Sequence, residues 1–262
     1  MAGLNRSPNI EWIHPKPEQR FTLNPLGSWC LNGCWFCYRA RGAHRLPCPQ
    51  CRTNEPHHHL DRLQALVKTP AGAGVFVGSV CDFWSNGVQP EWRQEIFKAI
   101  KESLATCFVL TKRPERIDPA EIPGLPDNLW LGVSVSCQDE AWRIGRLADR
   151  WPGHRFLSLE PLLGPVDLND RYLDRIEWVV IGGLSGPWLP PGWTVRDSLL
   201  RAQAEWSRDI LGQCQAAGLP VVVKTIPVKI PELKPVRQWP GPLMAAPWRR
   251  PRPEPEAQAR LF

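Results

Sequence analysis

Short apolar segments alternate with helical segments along most of this chain, and this alternation constrains the fold more than any other feature. Segments typical of β-strands lie at 21–24, 74–78, 107–110, 129–134, 156–159, 176–181 and 219–223. Segments with apolar residues at helical spacing lie at 91–105, 141–151 and 198–217. Strands that alternate with helices form parallel βαβ units, in which helices cover the sheet. The pattern therefore predicts an α/β fold, as either a closed or partly open β/α barrel or a doubly wound open sheet.

Length and composition suggest one main domain followed by an extension. A chain of 262 residues can bury one substantial core, and β/α barrels of this size are common as single domains. Prolines recur from residue 227 onwards, so we expect a β/α domain over 1–226 and a Pro-rich irregular extension over 227–262. No apolar segment approaches the ~18 residues of a membrane span. The polar residues 1–20 lack the apolar core of a signal peptide, so a cytoplasmic location is expected.

Three cysteines lie close together directly after the first predicted strand. Cys30, Cys34 and Cys37 have the spacing C-x3-C-x2-C, and thiolates are the usual ligands of iron–sulfur clusters. A loop that supplies only three thiolates leaves one iron of a [4Fe–4S] cluster without a protein ligand, and a cofactor or substrate can bind there. Gly33 permits a tight turn in this loop, and Phe36 would shield the cluster. The alternative is a zinc site whose fourth ligand comes from elsewhere in the chain.

A second group of metal-ligand residues follows in the segment 38–60, which we expect to be a metal-binding insertion. Cys48, Cys51, His57 and His59 have the spacing C-x2-C-x5-H-x-H, and zinc accepts two thiolates and two imidazoles in a tetrahedral arrangement. A structural zinc would stabilise a segment that has few apolar residues. Three alternatives remain: solvent-exposed histidines that begin a helix, a redox-active pair of cysteines, or the ligands of a second iron–sulfur cluster.

Motifs along most of the chain resemble those of one protein family. The three-cysteine motif after a first strand resembles the signature of the radical SAM superfamily. Across residues 9 to 226, further motifs resemble a phage- and bacteria-encoded, radical-SAM-like family of unknown function. These motifs are Asn9-Ile-Glu-Trp12, Leu23-Asn-Pro25, Val75-Phe-Val-Gly-Ser79, Asp82-Phe83, Leu110-Thr-Lys-Arg-Pro-Glu-Arg116, Asn128-Leu-Trp-Leu-Gly-Val-Ser-Val135, Ser158-Leu-Glu-Pro-Leu-Leu-Gly-Pro165, Val180-Ile-Gly-Gly183 and Gln213-Cys-Gln215.

The resemblance implies a fold and a chemistry. The expected fold is a partial (β/α)6-type, TIM-like barrel with parallel strands. The expected cofactors are a [4Fe–4S] cluster, held by Cys30, Cys34 and Cys37, and S-adenosylmethionine, which the cluster cleaves so that a radical abstracts a hydrogen atom from a substrate. The expected partners are an electron donor such as a flavodoxin or ferredoxin and a small-molecule or nucleotide-type substrate of unknown identity. No catalytic residue is assigned.

Several polar residues follow the predicted strands and would converge at one edge of a parallel sheet, where the active sites of such folds lie. The candidates for contacts to S-adenosylmethionine are Lys112, Ser134, Ser136, Glu160, Gly182 and Gly183. Lys112, Arg113 and Lys224 are candidates for binding an anionic substrate group. Leu184 stands where the resembled family usually has an acidic residue, so the role of that acid is moved or lost, and Glu160 is available to replace it.

Two other functions compete with this interpretation. The net charge of +6 and the 14 tryptophans are compatible with a metal-stabilised, non-catalytic nucleic-acid-binding protein, since basic groups bind phosphates and aromatic rings stack on bases. The substitution of Leu184 for the acid is compatible with an enzyme that keeps its cluster but has lost turnover. Colour, metal content and release of 5′-deoxyadenosine separate these possibilities.

Overall fold

One eight-stranded sheet organises the fold. The structure is a computed structural model that describes residues 3–27, 30–121, 124–168, 173–184, 189–190, 192, 194, 196–224 and 236–241. In this part of the chain the strands are β1 Leu4–Arg6, β2 Arg20–Leu23, β3 Gly74–Val77, β4 Thr106–Thr111, β5 Leu129–Ser134, β6 His154–Leu159, β7 Trp178–Ile181 and β8 Val221–Val223. The helices are α1 Tyr38–Gly42, α2 Pro49–Thr53, α3 Leu63–Val67, α4 Pro90–Glu102, α5 Trp142–Arg150 and α6 Arg196–Ala216.

The strands lie in the sheet in the same order as in the chain. β1 is antiparallel to β2, whereas β2 to β8 are parallel to their neighbours. A doubly wound sheet reverses its strand order at a switch point, so that alternative is wrong. Among the described residues no ladder joins β8 to β1 or β2, so the sheet is open. The predicted α/β class with parallel strands is confirmed, in a sheet that does not close on itself.

The outer face of the sheet packs against the helices. Alternate residues of the parallel strands point to this face and belong to the main core: Val75, Val77, Val109, Leu131, Val133, Leu157, Leu159, Val179, Ile181, Val221 and Val223. α4 begins with Pro90 and buries Ile96 and Ile100, which lie one turn apart on the face toward the sheet. α6 ends shortly before Gly218, whose φ of 67° is typical of a helix C-terminus. None of the described helices is long and apolar enough to cross a membrane.

The inner face of the sheet carries aromatic rings that meet one another. The rings come from the N-terminal segment and from the five consecutive strands β3 to β7: Trp12, Phe76, Phe108, Trp130, Phe156 and Trp178. The ring centroids of Phe108 in β4 and Trp178 in β7 are 5.9 Å apart. In a flat sheet, strands three positions apart are separated by roughly 14 Å. The sheet is therefore strongly curved, and the aromatic cluster fills its concave side.

The N-terminal segment and part of the predicted extension meet beside β8. Residues 236–241 return to this strand, where the Gln238 N–H donates to the Val221 carbonyl at 2.9 Å. The Trp239 indole N–H donates to the Trp12 carbonyl at 2.8 Å. These contacts cover the concave side between the two open edges of the sheet. The rest of the predicted extension lies outside the described residues, and the domain boundary stays a prediction.

Candidate metal and cofactor site

A cavity of about 710 Å³ lies at the edge of the sheet where the parallel strands end. Its volume is within the usual range of small-molecule sites. The predicted site residues that line this cavity are Cys30, Cys34, Cys37, Lys112, Ser134, Glu160, Gly183 and Lys224. Ser136 and Gly182 do not line it. The structure therefore brings the three cysteines and most of the predicted cofactor-binding residues to one cavity, while their contacts to a cofactor stay a prediction.

The three-cysteine loop connects β2 to α1 and contains a tight turn. Gly33 has a φ of 64°, a conformation that glycine adopts easily, so the predicted turn is confirmed. The Cys37 N–H donates to the Cys34 carbonyl at 3.0 Å. The Cys37 sulfur accepts from the Ala40 N–H at 3.4 Å, at the start of α1. Cys30, like the other two, is a free thiol, so the loop offers three sulfurs that are not bonded to one another.

A buried carboxylate fastens this loop to the sheet. Asp82, which follows β3, is 3% exposed. One of its oxygens accepts from the Asn32 amide and from the Lys112 N–H, each at 2.9 Å. The other oxygen accepts from the Thr111 hydroxyl at 2.8 Å and from the Trp84 N–H at 3.0 Å. Four hydrogen bonds to one carboxylate therefore join the cysteine loop, the turn after β3 and the end of β4.

Two cations lie beside the loop and differ in what they contact. The Arg113 guanidinium donates from Nε to the Asn32 side-chain oxygen at 2.8 Å and from Nη2 to the Leu31 carbonyl at 3.2 Å. These two hydrogen bonds do not favour the predicted role of Arg113 in binding a substrate anion, because they direct its guanidinium group to the cysteine loop. Lys112 Nζ lies 5.6 Å from the centre of the Phe36 ring and lines the cavity. Lys112 remains a candidate for an anionic group of the cofactor or substrate.

Burial raises the pKa of three of the thiols that line the cavity. The pKa of Cys30 and that of Cys34 both lie above the usual value because the charged forms are desolvated, and neighbouring thiols add to the effect. The positive charge of Lys112 opposes this shift at Cys34. Burial, followed by the charges of Asp82 and Cys30, raises the pKa of Cys81, which also lines the cavity. Cys30, Cys34 and Cys81 therefore favour their neutral forms.

Glu160 is the acid that the cavity offers next to the Gly182-Gly183 pair. A Cβ placed on Gly182 would lie 2.9 Å from Cδ of Glu160, so a larger residue there would displace the carboxylate. The carboxylate forms an ion pair with Lys224. Leu184 is buried and contributes an apolar surface to the cavity. Glu160 therefore lies beside the glycine pair, and its role as a replacement for an acidic residue at position 184 stays a prediction.

The second group of ligand residues is compact. The ligand atoms of Cys48, Cys51, His57 and His59 all lie within 4.8 Å of one another. Nε2 of His57 is 3.5 Å from the Cys48 sulfur, 3.2 Å from the Cys51 sulfur and 3.2 Å from Nε2 of His59. A tetrahedral ion with bonds of ~2.3 Å to sulfur and ~2.0–2.1 Å to nitrogen separates its ligand atoms by roughly 3.3–3.8 Å. The prediction that these four residues form a group able to hold a metal ion is confirmed.

The environment of this group favours the metal-binding forms of its ligands. Nδ1 of His57 lies 2.8 Å from the Glu55 carbonyl, a contact that directs Nε2 toward the other ligand atoms. A hydrogen bond from the Cys51 N–H lowers the pKa of Cys48, and burial lowers the pKa of His59. Thiolates and neutral imidazoles are the forms that bind metal ions.

The three-cysteine loop has a different geometry from this compact group. In the described part of the chain, Cys30, Cys34 and Cys37 belong to no set of ligand atoms as close together as the Cys2His2 group. Both the [4Fe–4S] cluster and the alternative zinc site therefore stay predictions for this loop.

Comparison with known proteins gives a family and no activity. The sequence matches the family described as a protein of unknown function (DUF5131) over residues 9–229. The chain belongs to the DUF5131 family. No curated protein and no solved structure matches the sequence. The range matched to DUF5131 contains both cysteine groups and every predicted cofactor-binding residue, but the family description does not tie it to the radical SAM superfamily. That resemblance stays a prediction.

Sequence reasoning missed three residues of this DUF5131 chain that keep the loops of the site in position: Asn32, Arg39 and Gly27. Asn32 is an ordinary polar residue in the cysteine loop, and Arg39 is one arginine among many. Gly27 shows its importance only against the His57 ring, thirty positions later in the chain. Their contacts are distant in sequence and leave no local pattern. The available signal was the position of Asp82 directly after a predicted strand.

Proposed function

We propose that this protein is a radical SAM enzyme in which Cys30, Cys34 and Cys37 hold a [4Fe–4S] cluster with one iron open to S-adenosylmethionine. The observation that carries the proposal is that three free thiols of one loop line a single cavity together with polar residues from separate strand ends. We also propose that the curved open sheet and its helices form a partial β/α barrel. The cavity lies at the edge where the parallel strands end, and the active sites of β/α barrels lie at that edge.

The chain's residues fit such a cluster. The thiols are not paired with one another, and the loop is fixed to the sheet through Asp82. When bound, the cluster would supply the electron for reductive cleavage of a carbon–sulfur bond of S-adenosylmethionine, which would release methionine and give the 5′-deoxyadenosyl radical that takes a hydrogen atom from the substrate. An external one-electron donor, such as a flavodoxin or ferredoxin, is required.

The cavity residues would bind and orient the cofactor. Glu160 would accept hydrogen bonds from the cofactor's amino group, and its ion pair with Lys224 fixes the direction of the carboxylate. Lys112 would bind a carboxylate or another anionic group, and the Ser134 hydroxyl would bond to the ribose. The rings of Trp12 and the rest of the concave cluster exclude water from the base of the cavity. A small molecule or a nucleotide-type compound would occupy the remaining volume.

We assign zinc to the Cys2His2 group. Two thiolates and two imidazoles in a tetrahedral arrangement are a usual ligand set for structural zinc, and the interatomic distances agree with that geometry.

The competing nucleic-acid function receives less support. Five of the tryptophans, Trp12, Trp84, Trp130, Trp151 and Trp178, are buried. Buried rings fill the core and cannot stack on bases.

The test is anaerobic reconstitution of the full chain with iron and sulfide, followed by addition of S-adenosylmethionine and dithionite. We expect about four iron atoms per chain, broad absorbance near ~400 nm, and release of 5′-deoxyadenosine measured by mass spectrometry. Cys34→Ala should lose both the absorbance and the product. Cys137→Ala is the matched control, because this half-buried cysteine belongs to neither ligand group, and it should behave as the wild type.

A further variant tests whether one iron is open. Cys81 is the other cysteine of the described chain that lines the cavity, and Cys81→Ala should keep the cluster and the product. Loss of the cluster in this variant would indicate a fourth thiolate ligand and would contradict the proposed cofactor site. A cluster without product would indicate a protein that has lost turnover.

A further inference from the structure

The segment that contains the Cys2His2 group has no hydrophobic core of its own. Between residues 30 and 60, all of which the structure describes, only Cys51 and His57 are buried. Both are ligand residues of that group. α1 and α2 have five residues each, a length at which a helix is unstable without packing. A bound metal ion is therefore the main source of order available to this segment.

Backbone hydrogen bonds join the ligand histidines to the entrance of the cysteine loop. The Gly27 N–H donates to the His57 carbonyl at 3.0 Å, and the His59 N–H donates to the Pro25 carbonyl at 2.6 Å. Pro25 and Gly27 lie just before Cys30 in the chain. The position of the two imidazoles and the path of the chain into the three-cysteine loop are therefore fixed together.

Gly27 packs directly on the ring of a metal-ligand residue. A Cβ placed on Gly27 would lie 2.0 Å from Cε1 of His57 and 2.3 Å from its Nε2. No side chain can approach so closely, so glycine is needed at this position for Nε2 to lie among the other ligand atoms. The His57 ring is therefore in direct contact with Gly27, at the entrance of the cysteine loop.

Side-chain contacts join the Cys2His2 group to both ends of the cysteine motif. Arg39, two residues after Cys37, donates from Nη2 to the Cys51 carbonyl at 3.2 Å. The Asn54 amide donates to the Cys30 carbonyl at 3.5 Å. The first cysteine of the motif and the helix that begins just after the last one are therefore both connected to the Cys2His2 group.

We propose that the metal ion held by Cys48, Cys51, His57 and His59 clamps the three-cysteine loop, so that residues 25–27 and 30–37 take their cluster-holding form only when this ion is bound. The consequence for the cluster rests on the proposed function. The ordering of the loop by the ion does not, because it follows from contacts that involve no iron.

The first test measures hydrogen–deuterium exchange on the full chain without iron, with zinc bound and after zinc is removed by a chelator. Zinc removal should accelerate exchange about tenfold or more in residues 25–37 as well as in 38–60, because their shared hydrogen bonds open together. Exchange in β5 and β6 should not change. Equal exchange of residues 25–37 in both forms would overturn the clamp.

The second test measures iron uptake by the same two forms. The zinc-free chain should hold no more than about a fifth of the iron held by the zinc-loaded chain, and zinc added before iron should restore uptake. Equal iron in both forms would overturn the coupling of the ion to the cluster. If zinc protects residues 25–37 but neither form holds iron, the clamp stands and the proposed radical SAM function fails.

Two variants separate ligand loss from general damage. Cys48→Ser removes a half-exposed ligand, and Gly27→Ala keeps all four ligands but displaces the His57 ring. Both should weaken zinc binding and lower iron uptake, whereas Cys137→Ser should match the wild type in both respects. Normal zinc and iron content in Cys48→Ser and Gly27→Ala would overturn the clamp. If either variant also loses hydrogen-exchange protection in β5, its whole fold is damaged. The comparison of the zinc-loaded with the zinc-free wild type then decides whether the ion clamps the loop.

Discussion

At the scale of single residues, the site depends on buried polar groups that each serve several partners. Asp82 alone accepts hydrogen bonds from two side chains and two backbone N–H groups. A carboxylate in such a position is stabilised by its donors, and each donor would be left unsatisfied without it. The residues that hold the cysteine loop are therefore as important to its shape as the cysteines themselves.

Asp82→Asn should destabilise the chain because an amide offers one acceptor atom where the carboxylate offers two. We expect the free energy of unfolding to fall by about 2–4 kcal/mol, since one or two buried donors lose their partner. Thr111→Val is the comparison variant: it removes one of the four bonds to Asp82 and the bond that the Thr111 hydroxyl accepts from the Arg113 N–H, and it should cost about 1–2 kcal/mol. Urea unfolding measures both values. Equal losses in the two variants would contradict a special role for the carboxylate.

Glu160→Gln should affect cofactor cleavage more than cluster binding. The substitution removes the ion pair with Lys224 and the negative charge beside Gly182, while the three thiols are unchanged. The rate of 5′-deoxyadenosine formation should fall about tenfold or more at unchanged iron content, since charge-assisted hydrogen bonds are the stronger ones. An unchanged rate would show that Glu160 does not take the role of the acidic residue that the resembled family usually has at the position of Leu184.

At the scale of elements, local pattern predicted the strands well and their ends less well. The predicted strand 129–134 coincides with β5, because six consecutive residues alternate between two buried faces. The predicted helix 91–105 ends earlier, with α4, because Ser103 has extended backbone angles and its hydroxyl bonds to the Leu66 carbonyl. β1 was not predicted, since three residues carry no periodicity and form a strand only by pairing with β2.

The junction of β6 and β7 makes stability depend on pH. Burial of Glu177 alone would raise its pKa, but the hydrogen bonds and charges of His154 and Arg155 together outweigh burial, and the net shift is downward. A carboxyl with a lowered pKa stabilises the fold above its unfolded pKa, and this contribution disappears as the pH falls through the folded pKa. Glu177→Gln should therefore be less stable than the wild type near neutral pH by about 1 kcal/mol or less, because the carboxylate is partly exposed.

The measurement for this pair is urea unfolding of wild type and Glu177→Gln at several pH values between about 7 and 3. The difference between their midpoints should shrink as the pH falls below the ordinary pKa of a glutamate. A difference that stays constant with pH would show that the charge of the Glu177 carboxylate does not contribute to stability.

At the scale of the whole molecule, the sequence predicts which residues share a face but not how the sheet bends. Alternation separates outward aliphatic residues such as Val179 from inward rings such as Trp178. The contact of Trp178 with Phe108 across three strands depends on curvature, which arises from the packing of all the rings together. The Cys2His2 group and the position of the three cysteines at one cavity were predictable because the residues of each set are close together in sequence, whereas the contact between Gly27 and His57 was not.

The last prediction concerns where the β/α domain ends. It follows from the contacts by which residues 236–241 cover the concave side of the sheet. A chain that ends at residue 226 lacks the segment 236–241, which bonds to β8 and to Trp12, whereas a chain that ends at 241 retains it. The shorter chain should be less stable by about 3–6 kcal/mol, since several hydrogen bonds at about 1 kcal/mol each and the burial of Val236 and Trp239 are lost. Urea unfolding of the two truncated chains measures this difference. Equal stability would mean that the domain is complete at residue 226. The expected loss would place the end of the domain after Trp239, because the inner aromatic cluster needs the segment 236–241 to exclude water from it.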